Sequence, residues 1–294
     1  MGLPEPWAVL HLRLFMALWT CALVSNIGTL MQEVGVTWLM TSLDSSPIMV
    51  SLIQTAEAVP FFLLALPAGA LADILDRRRL VLFSQAWMFL LALLLGVLTF
   101  SNLMTPTWLL ILTALLGLGT ALNGPVYQAI IPELVPADHL SKAIALNSAG
   151  FNLARAIGPG IGGLVVAAAG AGATFLLNAA SFLGVMLVLY RWERPVRQNV
   201  APAERFLGAM RAGIRYFRHA EHLQIVLVRA AVFIFGASAF WALLPLIVRF
   251  RLDLSAAGYG LLLGCFGVER SAWRRSCRWC GGASAWKPWW RRRR

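Results

Sequence analysis

The chain has 294 residues, 59% of them hydrophobic and only 13% charged, with a mean hydropathy of +0.72. Soluble globular domains carry about 25% charged residues, so the composition excludes a soluble domain and indicates an all-α, polytopic membrane protein. The formal charge of +12 suggests nucleic acid at first sight, but most of it comes from the last 26 residues, which hold nine Lys/Arg and one Glu; the remainder is ordinary for the positive-inside rule, and no nucleic-acid partner is expected.

Met1 to Val9 contains two prolines, and the first apolar run is long and spotted with polar residues. A cleavable signal peptide has a short apolar core followed by small residues, so the first helix is expected to be retained. Span 1 covers about Leu14 to Met40. Within it Asn26, Thr29, Glu33 and Thr37 recur at i, i+3, i+7 and i+11, one stripe of a 3.6-residue helix. Such a stripe should face protein or water. An outer loop is expected over Thr41 to Pro47.

Span 2, about Ile48 to Leu71, contains Gln54 and Glu57 one turn apart and the helix-bending Pro60 and Pro67. Span 3 is Leu80 to Phe100. Between them Asp73, Asp76 and Arg77 to Arg79 fill five of seven positions. A membrane span needs ~20 apolar residues, so spans 2 and 3 form a hairpin, and the three arginines put its link in the cytoplasm. The link resembles motif A of the major facilitator superfamily, G-x-x-x-D-x-x-G-R-[RK]: Gly69, Asp73, Arg77 and Arg78 fit, while Asp76 stands where that family usually has glycine. A topogenic charge run is the plainer alternative. In the family, motif A stabilises one orientation of the carrier.

Span 4, about Trp108 to Ile131, has Gly117, Gly119 and Gly124 to permit close helix contact. A second cytoplasmic link follows over Pro132 to Lys142. In span 5, Ala143 to Ala169, Ser148, Asn152, Arg155 and Pro159 share a stripe. An unpaired arginine at a helix centre costs ~2.5–3.5 kcal/mol even on the lenient insertion scale, so Arg155 needs a partner or an aqueous cavity. Gly158-Pro159-Gly160-Ile161-Gly162-Gly163 then resembles the G-P-x-x-G-G antiporter signature, motif C, of the same superfamily, with a small-residue packing seam as the alternative. Span 6 runs from Thr174 to Tyr190 with Asn178 near its outer end.

An arginine-rich connection to His222 belongs in the cytoplasm, and Pro202 to Phe217 could form an interfacial amphipathic helix. Span 7 covers about Leu223 to Val248, and Gly258 to Val268 begins a span 8 too short to cross. From Glu269 the composition changes to Arg, Trp, Gly, Ala and Ser, with five of the twelve tryptophans; out-of-frame translation of a GC-rich sequence is expected, a membrane-surface anchor being the alternative. Cys277 and Cys280 have half the spacing of a zinc site, but a structural site needs four ligands. No metal, cofactor or disulfide framework is expected.

Beyond the motifs, Ile27 to Leu39, Ala65 to Asp73 and Pro132 to Pro136 resemble the drug and siderophore exporters similar to the enterobactin exporter, the transmembrane secretion effector branch of the superfamily. The resemblance implies the major facilitator fold and proton-driven efflux. The implied plan is an N-terminal six-helix bundle (1–192), a cytoplasmic central loop (193–222), the start of a second bundle (223–268) and an aberrant tail (269–294), in the plasma membrane with the N-terminus inside. The partners are then the lipid bilayer, a small-molecule substrate and protons. Asn26, Glu33, Glu57, Ser148, Asn152 and Arg155 are the candidate coupling and cavity residues, and Gly158, Pro159, Gly162 and Gly163 the helix-5 hinge. An inactive C-terminally truncated remnant and a non-transporting sensor or assembly partner remain as alternatives. No enzyme is expected, since the four histidines lie in terminal or loop segments without a nucleophile and no phosphate-binding G-x-x-x-x-G-K-[ST] occurs.

Overall fold

The computed structural model describes residues 13–192, 215 and 221–266, leaving aside the side chains at 65–66, 69–74 and 221–223. The helices in chain order are α1 (Arg13–Leu43), α2 (Pro47–Ile74), α3 (Arg77–Phe100), α4 (Pro106–Leu134), α5 (Leu140–Ala169), α6 (Ala171–Arg191), α7 (Glu221–Phe250) and the shorter α8 (Ala256–Phe266). Among the described residues, α1 to α7 are each long and apolar enough to cross a membrane. The central connection with its expected interfacial helix, the Cys277 and Cys280 pair and the tail lie outside the described residues.

Every expected span is a helix, and each begins or ends a few residues beyond the apolar run. At the N-termini of α3 and α4 the extension follows from capping. Asp76 ends the α2–α3 link as N-cap of α3, accepting a hydrogen bond from the Arg79 amide at 3.0 Å, and Thr105 caps α4 by accepting from Trp108. Side-chain oxygens at this position satisfy amides that have no helical partner. At φ −64° and ψ 113° Asp76 has ordinary extended backbone, so this link does not require the glycine that the family motif has there.

Helices α1 to α6 form one bundle, with α1 packed on α5 and α6, α2 on α4, and α3 on α4 and α6. Its largest apolar cluster runs from Met40 and Ile53 through Leu95 and Leu109 to Phe175. Small residues set the closest crossings. A Cβ added at Gly117 would lie 3.0 Å from the Glu57 carbonyl oxygen of α2, and one at Gly119 would lie 2.6 Å from Met88 of α3. Gly124 differs from expectation: nothing lies within 4 Å of the place its Cβ would occupy, so it contributes no contact.

At the end of the bundle that carries Arg77, two guanidinium groups tie helices together. Arg77 Nη1 donates to Ala129 O at 3.1 Å and to Glu133 Oε1 at 3.0 Å, joining α3 to the end of α4. Arg78 donates from Nε to Leu189 O at 2.8 Å and from Nη2 to Tyr190 O at 2.6 Å. Those carbonyls belong to the last turn of α6, where helical acceptors lack partners. Gly69 and Asp73 lie in the final turns of α2. Replacing Arg77 or Arg78 by Ala is expected to lower the thermal unfolding midpoint in detergent, through a loss on the order of 1–3 kcal/mol for each set of charged hydrogen bonds. Arg79→Ala, at an exposed side chain, should stay within about 0.5 kcal/mol.

Candidate functional site

The polar stripe of α1 faces inward. Asn26, Thr29, Glu33 and Thr37 all line a cavity of about 630 Å³, together with Gln54 and Glu57 from α2, Phe151, Arg155 and Pro159 from α5, Trp241 from α7 and Tyr259 and Phe266 from α8. Glu33 is exposed by area yet lies deep among surrounding protein atoms, the condition of a side chain on a cavity wall. A half-buried Glu57 shares that wall.

Arg155 completes the charged set. Its guanidinium lies over the Phe151 ring, 4.9 Å from the centroid, and it interacts electrostatically with Glu33 across the cavity. No direct ion pair joins the two among the described residues. A cation over a ring face is stabilised by the ring's quadrupole, by about 0.5–1 kcal/mol where exposed and more where desolvated. Ser148 and Asn152 do not line the cavity. Both are exposed, two turns and one turn closer to the N-terminal end of α5 than Arg155.

The glycines of the fifth helix form a seam on two sides. Cβ atoms at Gly158 and Gly162 would lie 2.9 Å from Leu30 Cβ and 2.7 Å from Met31 Cα of α1. On the other side, a Cβ at Gly163 would collide with the Ala256 carbonyl, and one at Gly260 with the Pro159 carbonyl. Helix α8 therefore lies backbone against backbone on α5, which only small residues permit. Gly260 is a functional candidate that the sequence reading missed; its signal was an Ala256-x-x-x-Gly260 small-residue spacing inside a run too short to be read as a span.

The contacts of α7 gather at the end of the bundle carrying Asp44. Residues 225–236 are exposed throughout, whereas Leu244 and Val248 are buried against Val34 and Tyr259. Arg249 Nη1 donates to Thr41 Oγ1 at 2.7 Å and Ser42 Oγ at 2.8 Å, and its guanidinium lies 5.2 Å from the Trp38 ring centroid. Trp38 in turn stacks on Tyr259, with centroids 6.3 Å apart. At the Asp44 end α1 is thus joined to the α7–α8 corner beside the cavity.

Six packed helices followed by an α7–α8 pair that borders a shared polar cavity is the architecture of a major facilitator carrier. The chain belongs to the transmembrane secretion effector family, whose model matches residues 4–272. It is 29% identical over 225 residues to a staphyloferrin A transporter of Staphylococcus aureus, covering 76% of this chain and 56% of the relative. It is 28% identical to the multidrug efflux pump Tap of Mycolicibacterium fortuitum, over 57% of this chain and 42% of the pump. With a macrolide efflux protein A of Streptococcus pyogenes the identity is 20%, over 86% of this chain and 66% of that protein. These relatives are named as transporters and pumps rather than enzymes, in line with the sequence reading. Among solved structures, a bacterial homologue of the human lysosomal transporter Spinster, inward-facing and unoccupied, superposes with a TM-score of 0.66 at 16% identity, over 90% of this chain and 60% of that one. The chain spans about half the length of the first curated relatives it matches.

Two outcomes test this geometry. Gly260→Val should force α5 and α8 apart, because the new side chain meets backbone that cannot rotate away; spin labels on the two helices should report a longer distance than in the parent chain. Arg249→Ala should lengthen the distance between labels at the ends of α1 and α7, whereas Arg251→Ala, at an exposed turn position, should leave it unchanged.

Proposed function

We propose that the chain is the cavity-bearing part of a secondary active carrier that exports a small amphipathic molecule in exchange for protons by alternating access. The observation that carries this reading is the convergence of Glu33, Glu57 and Arg155 on one cavity deep within apolar helices. Ionisable groups at that depth are expensive and mark ion or substrate pathways. Antiport needs a carboxyl group that substrate and proton can compete for, and the aromatic rings of Phe151, Trp241 and Tyr259 beside the carboxylates suit an organic body with a polar head.

In this reading the Arg77 end of the bundle faces the cytoplasm, since three arginines in a row begin α3 there. The N-terminus is then inside, the membrane is the plasma membrane, and the arrangement is the inward-open half of the cycle, with the Arg249 contacts holding the outer end shut. Residues 1–192 act as one bundle, 193–222 as the central loop and 223–268 as the start of the second bundle, which rocks against the first around a midplane site. Gly69, Asp73, Arg77 and Arg78 stabilise that orientation, and Gly158, Pro159, Gly162 and Gly163 let α5 slide on its neighbours. A second reading, that these residues do not transport by themselves, rests on one observation: among the described residues, α7 and α8 supply only part of the wall facing the first bundle.

The accumulation of ethidium in cells separates the readings. The cells express either the chain itself or its residues 1–268 continued by the second bundle of the staphyloferrin A transporter. The carrier reading predicts lower accumulation than with an empty vector in at least the completed form, abolished by a protonophore and by Glu33→Gln. Efflux confined to the completed form shows that these residues do not transport by themselves. Efflux that survives both the protonophore and Glu33→Gln contradicts proton coupling through Glu33, and unchanged accumulation in both forms contradicts the carrier reading.

A further inference from the structure

Behind the main cavity, inside the bundle, lies a second and smaller chamber of about 100 Å³. It is bounded by Gln32 from α1, Met88 from α3, Thr113 and Thr120 from α4 and Asn178 from α6. Thr29, Glu33 and Glu57 line both this chamber and the large cavity. The two carboxylate side chains therefore form a partition, with one face towards the substrate-sized space and the other towards the chamber.

The polar groups around the chamber are mostly satisfied within the protein. Thr29 Oγ1 donates to Ser25 O at 3.0 Å, Thr120 Oγ1 donates to Gly117 O at 2.9 Å, and Asn178 Nδ2 donates to Gln32 Oε1 at 2.8 Å. Thr113 is the exception: at 2% exposure its Oγ1 has no hydrogen-bond partner. A buried hydroxyl without a partner is destabilising, a cost that a bound water on the chamber side would remove. The chamber has room for about three waters, each having a share of about 30 Å³ in the liquid, and buried waters are found where two to four polar groups surround them.

We infer that this chamber is a site for a small cluster of bound water, anchored by Thr113 and in contact with Glu33 and Glu57 from the side opposite the substrate. Its functional part rests on the proton-coupled reading. When a substrate occupies the large cavity, a protonated Glu33 or Glu57 can still release its proton: the carboxyl O–H bond breaks towards a chamber water oxygen, the carboxylate keeps the electron pair, and a hydronium forms in the chamber. Substrate and proton thus meet the same carboxylates from opposite faces, without passing one another. The charged and titratable groups facing the partition are Arg155 from α5 and Tyr259 from α8, both on the cavity side. Among the described residues, α3, α4 and α6 bring only uncharged side chains to the chamber.

Hydroxyl-radical footprinting by X-ray radiolysis of the purified chain tests the water directly, because radicals form from water at the site and methionine reacts readily. Met88 lines the chamber at 2% exposure, and Met40, at 0% and in the same apolar cluster, lines neither the chamber nor the cavity. Met88 is expected to be oxidised severalfold faster than Met40, Thr113→Leu should bring it down to the rate of Met40, and Thr113→Ser should leave it fast. An unchanged slow rate at Met40 in each variant shows that the bundle still folds. Equal slow rates for Met88 and Met40 in the parent chain would overturn the inference, whatever a transport assay gives. A fast Met88 in a chain whose efflux ignores Glu33→Gln leaves the chamber standing and removes only the proton reading.

Discussion

Charge inside a low-dielectric slab is the constraint from which the rest of this structure follows. Three ionisable side chains, Glu33, Glu57 and Arg155, lie well within spans α1, α2 and α5, and each would be strongly disfavoured against lipid tails. The fold gathers them on one wall. Helix α1 turns its whole polar stripe towards that wall, and α5 meets α1 and α8 closely enough, through Gly158, Gly162 and Gly163, to enclose the space in front of it. The two ends of the molecule then differ. At one end, arginines of the first turn of α3 hold the ends of α4 and α6; at the other, Arg249, Trp38 and Tyr259 join the six-helix bundle to the α7–α8 corner.

Much of this was legible in the sequence because the bilayer simplifies the code. Long apolar runs with charged punctuation become helices whatever their propensities, since no other backbone conformation satisfies its hydrogen bonds in lipid. The spacing of Asn26, Thr29, Glu33 and Thr37 announced a shared face, and the cost of Arg155 called for a partner or an aqueous cavity. Periodicity says which residues share a face, but not how far along the helix a partner reaches. Ser148 and Asn152 share the Arg155 stripe by spacing yet fall outside the cavity lining, whereas Phe151, next to Asn152, enters it.

Other features needed three dimensions altogether. Gly124 looked like a packing glycine beside Gly117 and Gly119, yet it faces open space, since helical phase alone does not say which neighbour stands opposite. Gly260 sat in a run too short to count as a span, and its close approach to Pro159 depends on a crossing that no local pattern encodes. The departure at Asp76 from the family's loop pattern has a physical account only with the backbone in view: the residue caps α3 in extended geometry, where glycine's freedom brings no benefit.

The central claim is that the α1 stripe faces water rather than lipid. Its most direct test is the reaction of Thr29→Cys, in membrane-embedded protein whose four native cysteines are replaced by serine, with a membrane-impermeant charged thiol reagent, compared with Leu90→Cys on the exposed outer face of α3. The account predicts rapid modification at Thr29→Cys and none at Leu90→Cys. An inert cysteine at position 29 would contradict it.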